Sequence, residues 1–239
     1  MFIDAQQNNY KKELSMFLLL KLLYRQGKTK LTGEDLLLVE YVNAIKSRKT
    51  TKQYIRTLIK LRFISYNQRT GYYLLRSFDK IRADKSWEVK LAFPVDYSNC
   101  SDINAVTGAV IYGYLHKDFW RKVKREKSVT ISGFTFNFPS VNFNYKDKPA
   151  PVSVIGINQI FDISIATASR LKKSAVEAGL IKVIQNYSEP IKDKEMAMMS
   201  LKYNEKAQNV MFIKNTYRLR LIDTIYPRFY FTKRTNLKT

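Results

Sequence analysis

A single cysteine, Cys100, stands in a chain of 239 residues, so no intrachain disulfide can form. The chain is therefore expected to work in a reducing cytoplasm, its own cell's or a host's. There is also a single histidine, His116. A zinc cluster of Cys and His, or a nicking centre built on two histidines, cannot be assembled within one chain. Long apolar runs are missing too: residues 16–20 are interrupted by Lys21, and even their continuation to Tyr24 falls far short of a membrane span. Residues 1–15 lack the basic start, apolar centre and small-residue cleavage site of a signal peptide, so none is expected. Acidic residues are scarce, 20 against 42 Lys and Arg, for a formal charge of +22 and a pI near 9.9.

That imbalance calls for an anionic partner. Nucleic acid leads, because a basic surface gains free energy by releasing counterions condensed on phosphates. A membrane partner would need a basic amphipathic helix with a fully apolar opposite face, whereas the cations here are spread along the chain, so no membrane is expected. The 45% hydrophobic content suffices for one large or two small packed domains.

Two stretches overlay without a gap. Residues 47–66 (SRKTTKQYIRTLIKLRFISY) and 164–183 (SIATASRLKKSAVEAGLIKV) lie 117 residues apart. Each opens on a Ser cap, continues for about four helical turns and enters a strand-like apolar segment, the plan of a recognition helix and first wing strand of a winged helix. The matched apolar positions are Tyr54/Leu171, Leu58/Ala175, Ile59/Val176, Leu61/Ala178, Phe63/Leu180 and Ile64/Ile181. On the opposite face the first copy carries Lys49, Lys52, Gln53, Arg56 and Lys60, with Arg48 at its start. An ordinary solvated helix face mixes both signs of charge, so one sign alone favours a polyanion. The second copy offers Ala166, Ser169, Arg170 and Lys173, with Thr167 nearby and Glu177 one turn on. Small residues near its start suit close approach to base edges.

The flanking elements fall in a consistent order. A helix is expected over residues 10–26, ending at Gly27, and Thr32 caps a second over 33–45. After the first recognition helix, residues 63–67 and 72–76 form a hairpin around residues 68–71, with Arg69 at its tip. These parts make an N-terminal winged-helix domain over 1–78, followed by a linker over 79–100 that contains a strand at 87–95. A C-terminal winged-helix domain spans 101–226. It starts with a helix over 104–124, ending in the basic cluster Arg121, Lys122, Lys124, Arg125 and Lys127. A β-hairpin inserted over 129–145 turns at Pro139-Ser140, and a short helix over 156–161 precedes the turn Asp162-Ile163-Ser164. The second wing pairs 180–185 with 210–221, a long wing because the polar Met- and Lys-rich segment 189–208 lies between. A basic tail over 227–239 carries Arg228, Lys233, Arg234 and Lys238. The expected fold class is thus α+β, two tandem winged helix-turn-helix domains.

Two winged helices in this length, the second with a long first helix, resemble plasmid and phage replication initiators that bind repeated origin sequences. Residues 159–183 also resemble the helix-turn-helix of many small bacterial regulators, with Ile163-Ser164 at the turn. The initiator resemblance implies origin DNA binding by both domains and a homodimer in one state. Sites for chemistry are poor by contrast. Gly27-Lys28-Thr29 imitates the end of a phosphate-binding loop, but Leu22 stands where its first Gly belongs. Glu88-Val89-Lys90 below Asp79 and Asp84 echoes a metal-dependent nuclease with loose spacing. The expectation is therefore a non-enzymatic protein without cofactor or metal, binding double-stranded DNA through Arg48, Lys49, Lys52, Gln53, Arg56, Lys60, Arg69, Thr167, Ser169, Arg170 and Lys173. Replication initiation and transcriptional regulation both fit. Packaging or host takeover without sequence specificity is the other reading, and a nuclease the minority one.

Overall fold

The computed structural model describes residues 1–88, 91–96, 100–125, 128–131, 134–137 and 148–233. Among them it is mixed α+β, with nine helices and small antiparallel sheets, in two compact units: Met1–Thr107 with Tyr230–Thr239, and Gly108–Phe229.

The first unit is assembled on α2 (Lys11–Leu23), preceded by the short α1 (Phe2–Gln7). Its apolar content runs all round the helix, and every residue from Leu14 to Leu20 is buried. Ser15 tolerates this because its hydroxyl bonds to Asn43 Oδ1 and to the carbonyl of Cys100. Strand β1 (Lys28–Thr29) follows, then α3 (Gly33–Val42). A capping box starts α3: Thr32 Oγ1 accepts from the N–H of Asp35, whose carboxylate accepts from the N–H of Thr32 at 2.7 Å. Next come α4 (Arg48–Lys60), β2 (Ile64–Asn67) and β3 (Tyr72–Leu75), the strands joined across Gly71, whose φ of 68° suits a residue without Cβ. The sheet order is β1-β3-β2. Two-residue β1 is too short to show an alternation, which is why the sequence did not reveal it.

From the segment 79–100, expected as a linker, Ile81 and Cys100 are buried in this unit's core. The helix α5 (Phe78–Asp84), capped by Ser77, buries Ile81, and Cys100 is fully buried with burial and then Asp96 pushing its thiol up to about 11. Of the strand expected over 87–95, Leu91–Ala92 form β4, paired with Thr232–Lys233 of the expected tail, and residues 89–90 lie outside the described residues. Arg234 and Lys238 lie outside the described residues.

The second unit repeats the order of the first. Its long helix α6 (Ile103–Arg125) begins where Asp102 Oδ1 accepts from the N–H of Ala105 at 2.9 Å. Strands β5 (Ser128–Ile131) and β6 (Phe134–Asn137) pair with Ile131 opposite Phe134. The turn expected at Pro139-Ser140 lies outside the described residues. Then follow β7 (Ala150–Pro151), α7 (Val154–Phe161), α8 (Ile165–Glu177) and β8 (Ile181–Ile184).

Residues 210–221 do not pair with 180–185: they fold on themselves. A turn at Lys214 and Asn215, with φ of 49° and 62°, returns β9 (Ala207–Ile213) as β10 (Thr216–Leu221). Segment 189–208 holds α9 (Lys194–Tyr203), capped by Asp193. The true partner of β8 is β11 (Thr224–Pro227), which also pairs with β7 to give the order β7-β11-β8. With the β5–β6 hairpin and the α9–β9–β10 segment set aside as insertions in the second, both units run helix, strand, helix, helix, strand, strand, starting from α2 and from α6, and the last strand is central in a three-stranded sheet.

Candidate nucleic-acid interface

Helices α4 and α8 begin and end alike. Ser47 Oγ and Ser164 Oγ each accept from the N–H three residues on, at 3.2 and 3.3 Å, and each lies 2.9 Å from that residue's own hydroxyl, on Thr50 or Thr167. At the far ends, the N–H groups of Phe63 and Leu180 donate to the carbonyls of Leu58 and Ala175, both at 2.9 Å. Arg62 and Gly179, at φ 61° and 69°, make the same left-handed exit. The central strands attach alike as well, through Arg76 N–H to Phe63 O at 3.0 Å and Arg228 N–H to Leu180 O at 2.9 Å.

The buried faces coincide at Leu58/Ala175 and at Thr51/Ala168, all fully buried. The expected inward pair Ile59/Val176 is instead exposed, at 37% and 40%. Thr51 escaped an apolar pattern because it is polar; its hydroxyl is satisfied by Glu40 Oε1 at 2.7 Å.

On the outer face of α4, Lys49, Lys52, Gln53, Arg56 and Lys60 are exposed, and none of them forms an ion pair among the described residues. Arg48 is different: half-buried, its Nε sits 3.1 Å from Glu40, which binds it to α3. Arg69 is exposed on the turn between β2 and β3. On α8, Ala166, Ser169, Arg170 and Lys173 are exposed and Thr167 is half-buried. Thr167 Oγ1 stands between the Ser164 hydroxyl and Arg170, whose Nη2 donates to it at 3.1 Å, so this threonine orients the arginine. Lys173 lies 3.8 Å from Glu177, an exposed pair too loose to withhold the lysine from a phosphate.

Three features escaped the sequence reading. Lys28 and Lys30 of the first unit place their ammonium groups 4.1 and 5.1 Å from the Tyr72 ring centre, beside the turn that carries Arg69. In the second unit, α6 approaches α8 so closely that Tyr112 Oη donates to the Ala168 carbonyl at 3.1 Å and Gly108 leaves no room for a side chain. Burial, then Asp223, pushes the Tyr112 phenol far up, so it stays a donor. Lys172, on the same helix, reaches Asp223 Oδ2 at 2.8 Å, and the buried Asp223 also takes Arg220. The helix that presents Arg170 is thereby fixed from two sides. An interior Gly in α6, costly in a helix unless something packs on it, was the one available signal.

No family model, curated protein or solved structure matches this chain.

The basic cluster at the end of α6 is partly consumed, since Arg121 and Lys122 both pair with Asp118; Lys127 lies outside the described residues. Asp79 and Asp84 are likewise held by Arg82 and Arg76. Among the described residues no group of three or more His, Cys, Asp and Glu is placed to hold a metal ion, and no helix is long and apolar enough to cross a membrane.

His116 is buried on α6 with Nε2 2.6 Å from the carbonyl of Lys148, and burial lowers its pKa from 6.5, the hydrogen bond only partly opposing this. Above 6.5 folded and unfolded chains both hold it neutral. Below that value the unfolded chain takes up a proton that the fold resists, so stability declines until the lower folded pKa is passed. Urea midpoints measured from about pH 7 to pH 5 should fall, and His116→Gln should flatten the fall. An unchanged slope in the variant would assign the acid sensitivity elsewhere.

Proposed function

We propose that the chain is a non-catalytic, double-stranded-DNA-binding protein in which each unit is a winged helix, with α4 and α8 as its recognition helices. The observation that carries this reading is the repeated element order, with the same central strand, around two identically capped helices that expose cations in a chain of charge +22. In such a unit the helix after the turn enters a major groove and the strand pair beyond it touches the backbone. Lys49, Lys52, Gln53, Arg56 and Lys60 meet DNA from α4, with Arg69 on the wing. Arg170, Ser169 and Lys173 meet it from α8. Arg48 and Thr167 serve indirectly, through Glu40 and Arg170. The second wing is shorter than the sequence suggests, because the insertion after β8 folds as a lobe of its own. A replication initiator or transcriptional regulator of a phage, plasmid or other mobile element uses DNA in this way, and a second copy of the chain is its other proposed partner.

The one-signed face of α4 favours a second reading, packaging or host takeover without sequence preference. Selection from a random duplex pool separates the two: the first reading expects an enriched motif, and a pool that stays random after selection sinks it. Titration with a duplex and with anionic vesicles at two salt concentrations tests the partner class. With about six phosphate contacts, duplex affinity should drop roughly a thousandfold from about 50 to 200 mM salt. Preference for vesicles would overturn the proposal. Supercoiled plasmid with Mg²⁺ or Mn²⁺ should stay intact, and nicking abolished by Glu88→Ala would restore the nuclease reading.

A further inference from the structure

We infer that the free edge of β9, with the methionine-rich face of α9 beside it, is the surface through which two copies of this chain pair. The lobe occupies the insertion between β8 and β11, where the first unit has only the turn at 68–71, so the repeated fold does not require it. Strand β9 reads AQNVMFI, without a charge or a proline. On one side it pairs with β10, whose other side is closed by bridges from Tyr187 and Ile191. Its outer side faces no strand among the described residues. Edge strands are normally blunted by a charge, a proline or a cover, and this one has neither of the first two.

The apolar surface continues onto the helix. Ala197 packs α9 down, fully buried, while Met196 and Met199 are 60% and 62% exposed and Tyr203 88%. These three line an open cleft, and Phe212 projects from β9 of the same lobe at 62% exposure. Together Met196, Met199, Tyr203 and Phe212 expose roughly 500 Å², taking about 200 Å² for a fully exposed side chain, which is about two-thirds of the ~800 Å² per partner of a standard specific interface.

A second copy is the occupant that fits. An antiparallel strand pairing with itself about a two-fold axis closes both free edges at once, and a projection and a cleft on one lobe make the surface self-complementary under that axis. Charge points the same way. At +22, two copies repel across most surfaces, but the rim of this lobe mixes signs: Glu195 and Glu205 stand exposed beside Lys202 and Lys206. Opposite charges can therefore meet across the axis.

The pairing does not rest on DNA binding, and its test uses none. The nuclease-treated full chain, in about 0.5 M salt so that residual nucleic acid cannot bridge copies, is examined by sedimentation equilibrium. The mass should rise with concentration from 28.0 kDa toward twice that value. Met199→Lys with Phe212→Lys should weaken dimerisation at least about tenfold without changing the far-ultraviolet spectrum. Because the native Cys100 is buried, a thiol introduced by Gln208→Cys is selectively addressable, and a short bismaleimide should link two such chains but not two Lys49→Cys chains. The cysteine variants keep the apolar surface, so they decide the matter even if the double lysine variant misfolds. A monomer at concentrations up to about 100 µM, a dimer indifferent to the lysines, or equal cross-linking from position 49 overturns the inference. So does a monomer whose methionine face captures vesicles or another protein.

Discussion

Gly108→Ala is expected to destabilise the second unit by about 2 kcal/mol, although alanine is intrinsically the better helix former by about 1 kcal/mol. A Cβ at this position would lie 2.1 Å from the carbonyl oxygen of Leu171 and 3.1 Å from the Ala175 side chain. The obstructing atom is backbone of α8, which cannot swing aside as a side-chain tip would. Either the helices separate, loosening the Tyr112 hydroxyl from Ala168, or α8 shifts along its axis. Both outcomes move Arg170, so affinity for DNA should fall along with stability. Gly156→Ala is the matched control: in α7 the nearest atom to its Cβ is 3.9 Å away, so it should be neutral or stabilising by up to about 1 kcal/mol. Urea unfolding of both variants decides the point, and a Gly108→Ala chain as stable as the parent would mean that α6 does not press on α8.

Lys52→Ala with Arg56→Ala should weaken binding to every duplex about equally and flatten the salt slope by roughly one per lost phosphate contact. Neither residue forms an ion pair among the described residues, and the whole outer face of α4 bears one sign, so its proposed work is to track phosphates. Arg170→Ala should cost on the order of 1 to 3 kcal/mol, chiefly at the preferred sequence. Its guanidinium is already oriented by Thr167, and the exposed Ala166 and Ser169 ahead of it leave room for a base edge. Thr167→Val, which removes the hydroxyl and nearly keeps the volume, should reproduce part of that loss. Binding measured on specific and scrambled duplexes separates the roles: if Arg170→Ala weakens both equally while the double variant alone erases preference, the assignment of the two helices is reversed.

By itself the sequence determined what short-range chemistry controls. Ser47, Ser164 and Thr32 cap helices because each hydroxyl meets a backbone N–H three residues away, a partner supplied whatever the rest of the chain does. Gly71 and Gly179 mark left-handed exits for an equally local reason, and the cations of α4 stay outside because nothing apolar recommends them to a core. Only the tertiary structure decided which of several similar segments β8 would choose. The sequence points to residues 210–221 as the strand and does not single out 224–227, yet 224–227 pair with β8 while the turn at Lys214 and Asn215 closes the former upon itself. It also decided that Ile81 and Cys100, from a segment expected as a linker, belong to a core, and that a polar Thr51 faces inward while the apolar Ile59 does not, since burial depends on what another element presents. The support of α8 is non-local in the same sense: Lys172 finds Asp223 across 51 residues, and Gly108 matters only because a second helix crosses it. Pairings of that separation carry little local signature, because many partners with the same pattern compete and only the packed whole selects among them.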